Sequence, residues 1–137
     1  MHFPRALAAV AGVLLVAVLY GCCTGKSEIS YTLITEPGAG YQPIYDFISG
    51  AKKTIDMTMY QLSDPKAQDA LRTAAKRGVR VRVLLNSDPE GGGGTKANQA
   101  AYDDLNAAGV SVRWAWTGTL WHQKSITRDG DAAVVMT

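Results

Sequence analysis

The sequence predicts an α/β domain, with a mixed, mostly parallel sheet covered by helices on both faces. Short β-prone runs recur between stretches of helical spacing in a β-α-β-α-β order. The connections between them are short, and capping or turn residues stand where one periodicity gives way to the other. A chain of 137 residues has room for one such domain and not two.

Tyr31 to Thr35 is the first β-prone stretch, broken by the turn residues Glu36-Pro37-Gly38-Ala39-Gly40. Pro43 suits a first helical turn, and Ile44, Phe47 and Ile48 follow at i, i+3 and i+4 before Gly50. From Thr54 to Leu62 the chain alternates, with Ile55, Met57 and Met59 on one face and Asp56, Thr58 and Tyr60 on the other, which predicts a strand. Asp64-Pro65 forms an N-cap and N1 pair. Ala67, Ala70, Leu71, Ala74 and Ala75 make one helical stripe behind it, and Gly78 stands where a left-handed C′ residue belongs. Val79 to Leu85 reads as a buried strand that ends in Asn86-Ser87-Asp88-Pro89-Glu90 and the run Gly91 to Gly94. A helix is expected from Lys96 to Ala108, with Gly109 behind it. A strand then carries Val110, Val112, Trp114 and Trp116 on a common face, where the two tryptophans are assigned to the core. Gln123 to Arg128 and Ala132 to Met136 flank Asp129-Gly130-Asp131, the signal of a hairpin. The last of these runs should be an interior strand, and it is followed at once by Thr137. The domain is therefore expected to be incomplete at its C-terminus.

Composition excludes more than it identifies. With 14 Lys+Arg against 12 Asp+Glu the net charge is +2, too small for the footprint of a dedicated nucleic-acid binder. Cys22 and Cys23 are adjacent and alone, which excludes a disulfide scaffold and a cysteine-rich zinc site. Neither Gly91 to Gly94 nor Gly38-Ala39-Gly40 has the order of a phosphate loop or a dinucleotide fingerprint. Arg72, Lys76, Arg77, Arg80, Arg82 and Lys96 are scattered at solvent-face positions and read as a solvated surface.

The N-terminus reads as an address. Arg5 precedes the uncharged apolar run Ala6 to Val18, which is too short to span a bilayer as a helix, and Leu19-Tyr20-Gly21-Cys22 closes it. That tetrapeptide resembles the bacterial lipobox, which implies cleavage before Cys22, a lipid on its thiol and membrane association through that anchor. An ordinary secretory signal cut nearby is the alternative. The expected organisation is a signal peptide over residues 1–21, a linker over 22–30 and the domain over 31–137, in an exported protein.

His122 and Lys124 are two residues apart on a predicted strand, so both side chains leave one face and Gln123 leaves the other. An imidazole and an ammonium group at one spot suit a phosphodiester: the ammonium meets non-bridging oxygens, and imidazole attacks phosphorus or carries a proton near neutral pH. Asp129, from the hairpin, could hold an imidazole tautomer. Trp121 beside His122 has the better claim among the tryptophans to line a cleft.

His122-Gln123-Lys124-Ser125-Ile126-Thr127-Arg128-Asp129 has the spacing His-x-Lys-(four residues)-Asp and resembles the signature of the phospholipase D superfamily. Ile55 to Tyr60, Ala67 to Leu85 and Ala108 to Val112 extend the resemblance over most of residues 31–137. It implies an α-β-α sandwich and a reaction without metal or other cofactor. One motif histidine attacks phosphorus to give phosphohistidine, a second protonates the leaving oxygen, and water hydrolyses the intermediate. His122 would take one histidine role, Lys124 would bind phosphate oxygens, and Asp129, or its rival Asp131, would support an imidazole. A second His-x-Lys is absent, since His2 lies in the signal segment. The resemblance therefore implies that a missing C-terminal half or a homodimer supplies the second motif. The expected activity is phosphodiester hydrolysis on phospholipids. An exported nuclease acting on DNA or RNA, and a non-catalytic phosphate-binding domain, are the alternatives.

Overall fold

Local sequence decides where each helix starts and stops. The computed structural model describes residues 29–87, 96–117 and 120–137. Helix α1 is Gln42–Ser49, with Pro43 in its first turn, where the missing amide costs no hydrogen bond. Helix α2 is Pro65–Lys76: the Asp64 carboxylate accepts the Lys66 amide at 2.9 Å, a cap of the kind worth about 1 kcal/mol. It ends through Arg77 into Gly78, whose φ of +88° is the left-handed geometry expected of a C′ glycine. Helix α3 is Lys96–Ala107, and Gly109, at φ +82°, leads out of it.

The strands are β1 (Thr54–Met59), β2 (Arg80–Leu85), β3 (Ser111–Trp114), β4 (Ser125–Arg128) and β5 (Ala132–Val135), in the spatial order β3-β2-β1-β4-β5. β1, β2 and β3 are parallel, with Ile55 opposite Val81 and Val83 opposite Val112. β4 returns antiparallel to β1, with Ile126 opposite Met57, and β5 is antiparallel to β4. Half of the strand pairs are thus antiparallel, where a mostly parallel sheet was expected. The hairpin turns through Asp129 and Gly130 at φ +55° and +81°, the two positive values a primed turn demands.

Side-chain alternation separates two faces. Ile55, Met57, Val81, Val83, Leu85, Val112 and Ile126 are buried and pack with Ile48 of α1, Leu71 and Ala74 of α2, and Ala101 and Leu105 of α3. The other face carries Asp56, Thr58, Arg80, Arg82, Ser111, Arg113 and Thr127, all partly or fully exposed. Among the described residues all three helices therefore lie on one face, not on both as expected. The polar residues of the other face offer no apolar stripe for a helix to cover.

Two further expectations change. Tyr31 to Thr35 is irregular chain, because β-prone sequence becomes a strand only where a neighbour takes its backbone groups. Ile34–Thr137 form one compact unit. The third strand stops at Trp114. Ala115 then gives its amide to the Leu85 carbonyl at 2.8 Å and is itself buried. Trp114 packs on the core and stacks on Tyr102, with ring centroids 4.5 Å apart, whereas Trp116 is 69% exposed. The N-terminal segment with Cys22, and the glycine run at 91–94, lie outside the described residues. Among those that are described, no helix is long and apolar enough to cross a membrane.

Candidate active site

Because β4 runs against β1, the residues entering β4 arrive where β1 and β2 finish, at the carboxyl end of the parallel strands. That is the end where open α/β sheets place ligands. His122 and Lys124 sit there, in extended chain just before β4 and not within it. The predicted convergence is present: Lys124 Nζ lies 3.2 Å from both ring nitrogens of His122 and donates to the His122 carbonyl at 3.1 Å. Gln123 turns the other way and lines an open depression of about 560 Å³ on the polar face, with Asp56, Arg82 and Arg113. Arg82 binds Asp56 there through two hydrogen bonds of 2.5 and 2.7 Å, which hold the Asp56 carboxyl below its ordinary range. This ion pair is solvated and separate from the imidazole.

Tyr60, the first residue after β1, supplies the floor. Its ring centroid is 4.6 Å from that of His122, tilted by 60°, and Lys124 Nζ stands 5.6 Å from the same ring. His122 itself is exposed, so a solute reaches the imidazole without displacing protein.

A buried polar relay holds this floor. Asn98, on α3 and fully buried, accepts the Leu62 amide at 2.9 Å and donates to the carbonyls of Tyr60 at 2.9 Å and Asn86 at 3.0 Å. Asn86 follows β2, and its side-chain oxygen accepts the Trp121 amide at 3.4 Å. The residue beside His122 is thus tied through two asparagines to the helix layer. Trp121 is half-buried, and its indole donates to the Trp116 carbonyl at 3.1 Å. Sequence reasoning missed Asn98. A signal for it exists, because Asn98, Ala101, Tyr102 and Leu105 fall at i, i+3, i+4 and i+7, so a polar residue heads an apolar stripe.

Asp129 is corrected. Its carboxylate accepts the backbone amides of Lys52, Lys53 and Thr54 at 2.7 to 3.2 Å, at the start of β1. Those bonds, from Thr54 first and then Lys52 and Lys53, hold its pKa below the ordinary carboxylate value. The six-residue strand β1 separates this place from Tyr60, on the order of 20 Å at about 3.3 Å per residue. Asp131 belongs to the same hairpin, donating its amide to the Arg128 carbonyl at 3.2 Å. Neither aspartate reaches His122. Asp129 instead locks the hairpin onto the entry of β1.

An imidazole and an ammonium group thus stand together at the carboxyl edge of the parallel strands of an α/β domain. Residues 44–137 match the family model described as "Cardiolipin synthase, PLD-like domain", and the chain belongs to this phospholipase D-like family. A probable cardiolipin synthase of Bacillus subtilis is 32% identical over 94 residues, covering 68% of this chain and 19% of that protein. A mitochondrial cardiolipin hydrolase of Chlamydomonas reinhardtii is 24% identical over 110 residues, covering 80% of this chain and 45% of that protein. The chain thus spans less than half the length of these relatives. Among solved structures, the phospholipase D family member Nuc from Salmonella typhimurium is 29% identical with a TM-score of 0.57, covering 64% of this chain and 55% of that one. Polyphosphate kinase from Porphyromonas gingivalis, at 18% identity and a TM-score of 0.56, covers 77% of this chain and 17% of its own and shares the fold.

Proposed function

We propose that the protein is a phosphodiesterase acting on phospholipids through a covalent phosphohistidine. The observation that carries this reading is the exposed His122 with Lys124 Nζ 3.2 Å from its ring nitrogens. The ammonium meets the non-bridging oxygens. A His122 ring nitrogen attacks phosphorus, so that an N–P bond forms and the P–O bond to the leaving alcohol breaks. That oxygen takes its proton from a second imidazole, supplied by another copy or by further chain. Water then attacks phosphorus, releasing His122 and returning a proton to the second imidazole. The names of the relatives, a cardiolipin synthase and a cardiolipin hydrolase, support a phospholipid substrate. Export, with a lipid on Cys22, completes the proposal; it is supported by the N-terminal sequence and tested by labelling the protein with a fatty acid.

The decisive experiment compares the protein with its His122→Asn variant on phosphatidylcholine and on DNA. Turnover of the lipid alone, reduced by about 10³-fold or more in the variant, supports the reading. Cleavage of DNA alone refutes the lipid substrate. Undiminished lipid or DNA affinity with no turnover in either protein refutes catalysis and leaves a phosphate-binding domain.

A further inference from the structure

We propose that the open depression on the polar face of the sheet is a second anion site, apart from His122, that takes a dianionic phosphate monoester. Strand register builds it. Arg80 and Arg82 are two residues apart on β2, so both side chains leave its exposed face, about 7 Å apart at the backbone. On β3, Ser111 stands opposite Arg82 and Arg113 opposite Leu84, which brings Arg113 to the same face, about 8 Å from Arg82 at the backbone. Arg82 and Arg113 line the depression together with Asp56, Ser111, Gln123 and Thr127.

Asp56 is the one carboxylate among the lining residues, and Arg82 already holds it through Nε and Nη2. Arg82 Nη1 stays outside that pair. Among the described residues the exposed Arg113 guanidinium has no salt bridge and no hydrogen-bond partner. Three guanidiniums against one carboxylate leave this face with two positive charges in excess, and like charges held this close repel. A phosphate monoester carries about −1.5 to −2 charge near neutral pH and presents oxygens that match the guanidinium fork, so it offsets the excess where a singly charged diester or carboxylate does not. A single-stranded nucleic acid is the weaker occupant: it asks for aromatic faces along a cationic track, and none of the lining residues is aromatic. At about 560 Å³ the depression has the size of a small-molecule site. A soluble phosphate ester and the headgroup of a phosphomonoester lipid present the same chemistry to it.

The test titrates the whole protein with glycerol 1-phosphate by calorimetry near pH 8, above the second phosphate pKa of about 6. The expected result is saturable binding, weakened about tenfold or more in Arg113→Gln and for dimethyl phosphate in place of the monoester. Arg80→Gln should weaken it as well, and both exposed positions should give variants that melt as the parent does. His122→Asn should bind as the parent does while losing turnover, so this inference and the phosphodiesterase reading fail independently. Cosedimentation with phosphatidylcholine vesicles only when they contain phosphatidic acid supports the proposal with a lipid headgroup as the source. Binding of glycerol 1-phosphate without cosedimentation supports it with a soluble ester. Absence of saturable binding, binding that both arginine variants leave intact, or binding lost in His122→Asn overturns it. So does equal affinity for dimethyl phosphate, which would remove the dianion from the argument.

Discussion

Asn98 is the residue on which the order of the site depends, and replacing it separates packing from hydrogen bonding. Truncation to alanine strands two buried backbone groups, the Leu62 amide and the Asn86 carbonyl, and the part-buried carbonyl of Tyr60, each within 3.0 Å of the asparagine now. Leaving a buried polar group without a partner costs about 1–3 kcal/mol. Partial relaxation and entry of water into the vacated space bring the expected total to roughly 3–5 kcal/mol. In a domain of this size 1 kcal/mol shifts the melting temperature by roughly 4–8 °C, so a fall of more than about 12 °C is expected. Asn98→Asp has nearly the same volume and keeps the acceptor for Leu62, but it turns a carboxylate oxygen toward two carbonyls. Burial and that repulsion raise the carboxyl pKa, so the penalty should be largest at neutral pH and shrink as acid protonates the side chain and restores a donor. The assay is urea unfolding of both variants at pH 7 and pH 5, followed by near-ultraviolet dichroism. A loss under about 1 kcal/mol in Asn98→Ala, or an Asn98→Asp penalty that does not depend on pH, refutes the argument that these three bonds hold the floor.

Two further outcomes test the opposite end of the sheet. A Cβ at Gly50 would stand 2.7 Å from Arg128 Nη1 and 3.3 Å from the Asp46 carbonyl. The guanidinium it would displace lies 4.5 Å from the Phe47 ring centroid and donates to the Phe47 carbonyl at 3.3 Å. Gly50→Ala should therefore cost about 1 kcal/mol by chemical denaturation, and the cost should fall in an Arg128→Ala background, where only the Asp46 carbonyl contact remains. Asp129→Asn keeps a side chain that tolerates the positive φ but removes the charge gathered by three amides. The folded-state pKa of Asp129 is depressed below the unfolded value of about 3.9, so its contribution is fully present above that pH and is lost as pH falls through the folded value. Thermal melts should show the variant less stable than the parent at pH 7, with the gap closing below about pH 4. An equal gap at both pH values would remove the charge from the explanation.

Much of the architecture was legible because local chemistry and tertiary demand agree. The cap at Asp64, the glycine behind α2 and the hairpin at Asp129-Gly130 each need a particular residue type for a backbone reason, and each stands where the sequence places it. The convergence of His122 and Lys124 follows from a spacing of two in extended chain. Other features depend on partners that no local pattern encodes. Tyr31 to Thr35 has strand composition, but among the described residues no strand pairs with it, and Trp116 continues an alternation that its own backbone has already left. The relay through Asn86 and Asn98 joins positions in different elements, and only the register of β1 against β2, with α3 packed over them, brings those positions together.

Strand direction settles where each motif residue lies. In a strand parallel to β1, side chains near the carboxyl edge would follow the strand; in β4, which runs the other way, they must precede it. His122 and Lys124 precede β4 and face the site, whereas Asp129 follows β4 and is carried the length of the sheet to the amides of Lys52 to Thr54. A single run of eight residues therefore serves two ends of the molecule. Its first and third positions bring an imidazole and an ammonium group together at the carboxyl edge, and its last ties the end of β4 to the start of β1. Substitution of Asp129 should then lower stability first, and turnover only as the protein unfolds, whereas loss of His122 should remove turnover from a protein that melts as before. Parallel melting and activity measurements on the two variants distinguish this division from one in which the aspartate touches the imidazole.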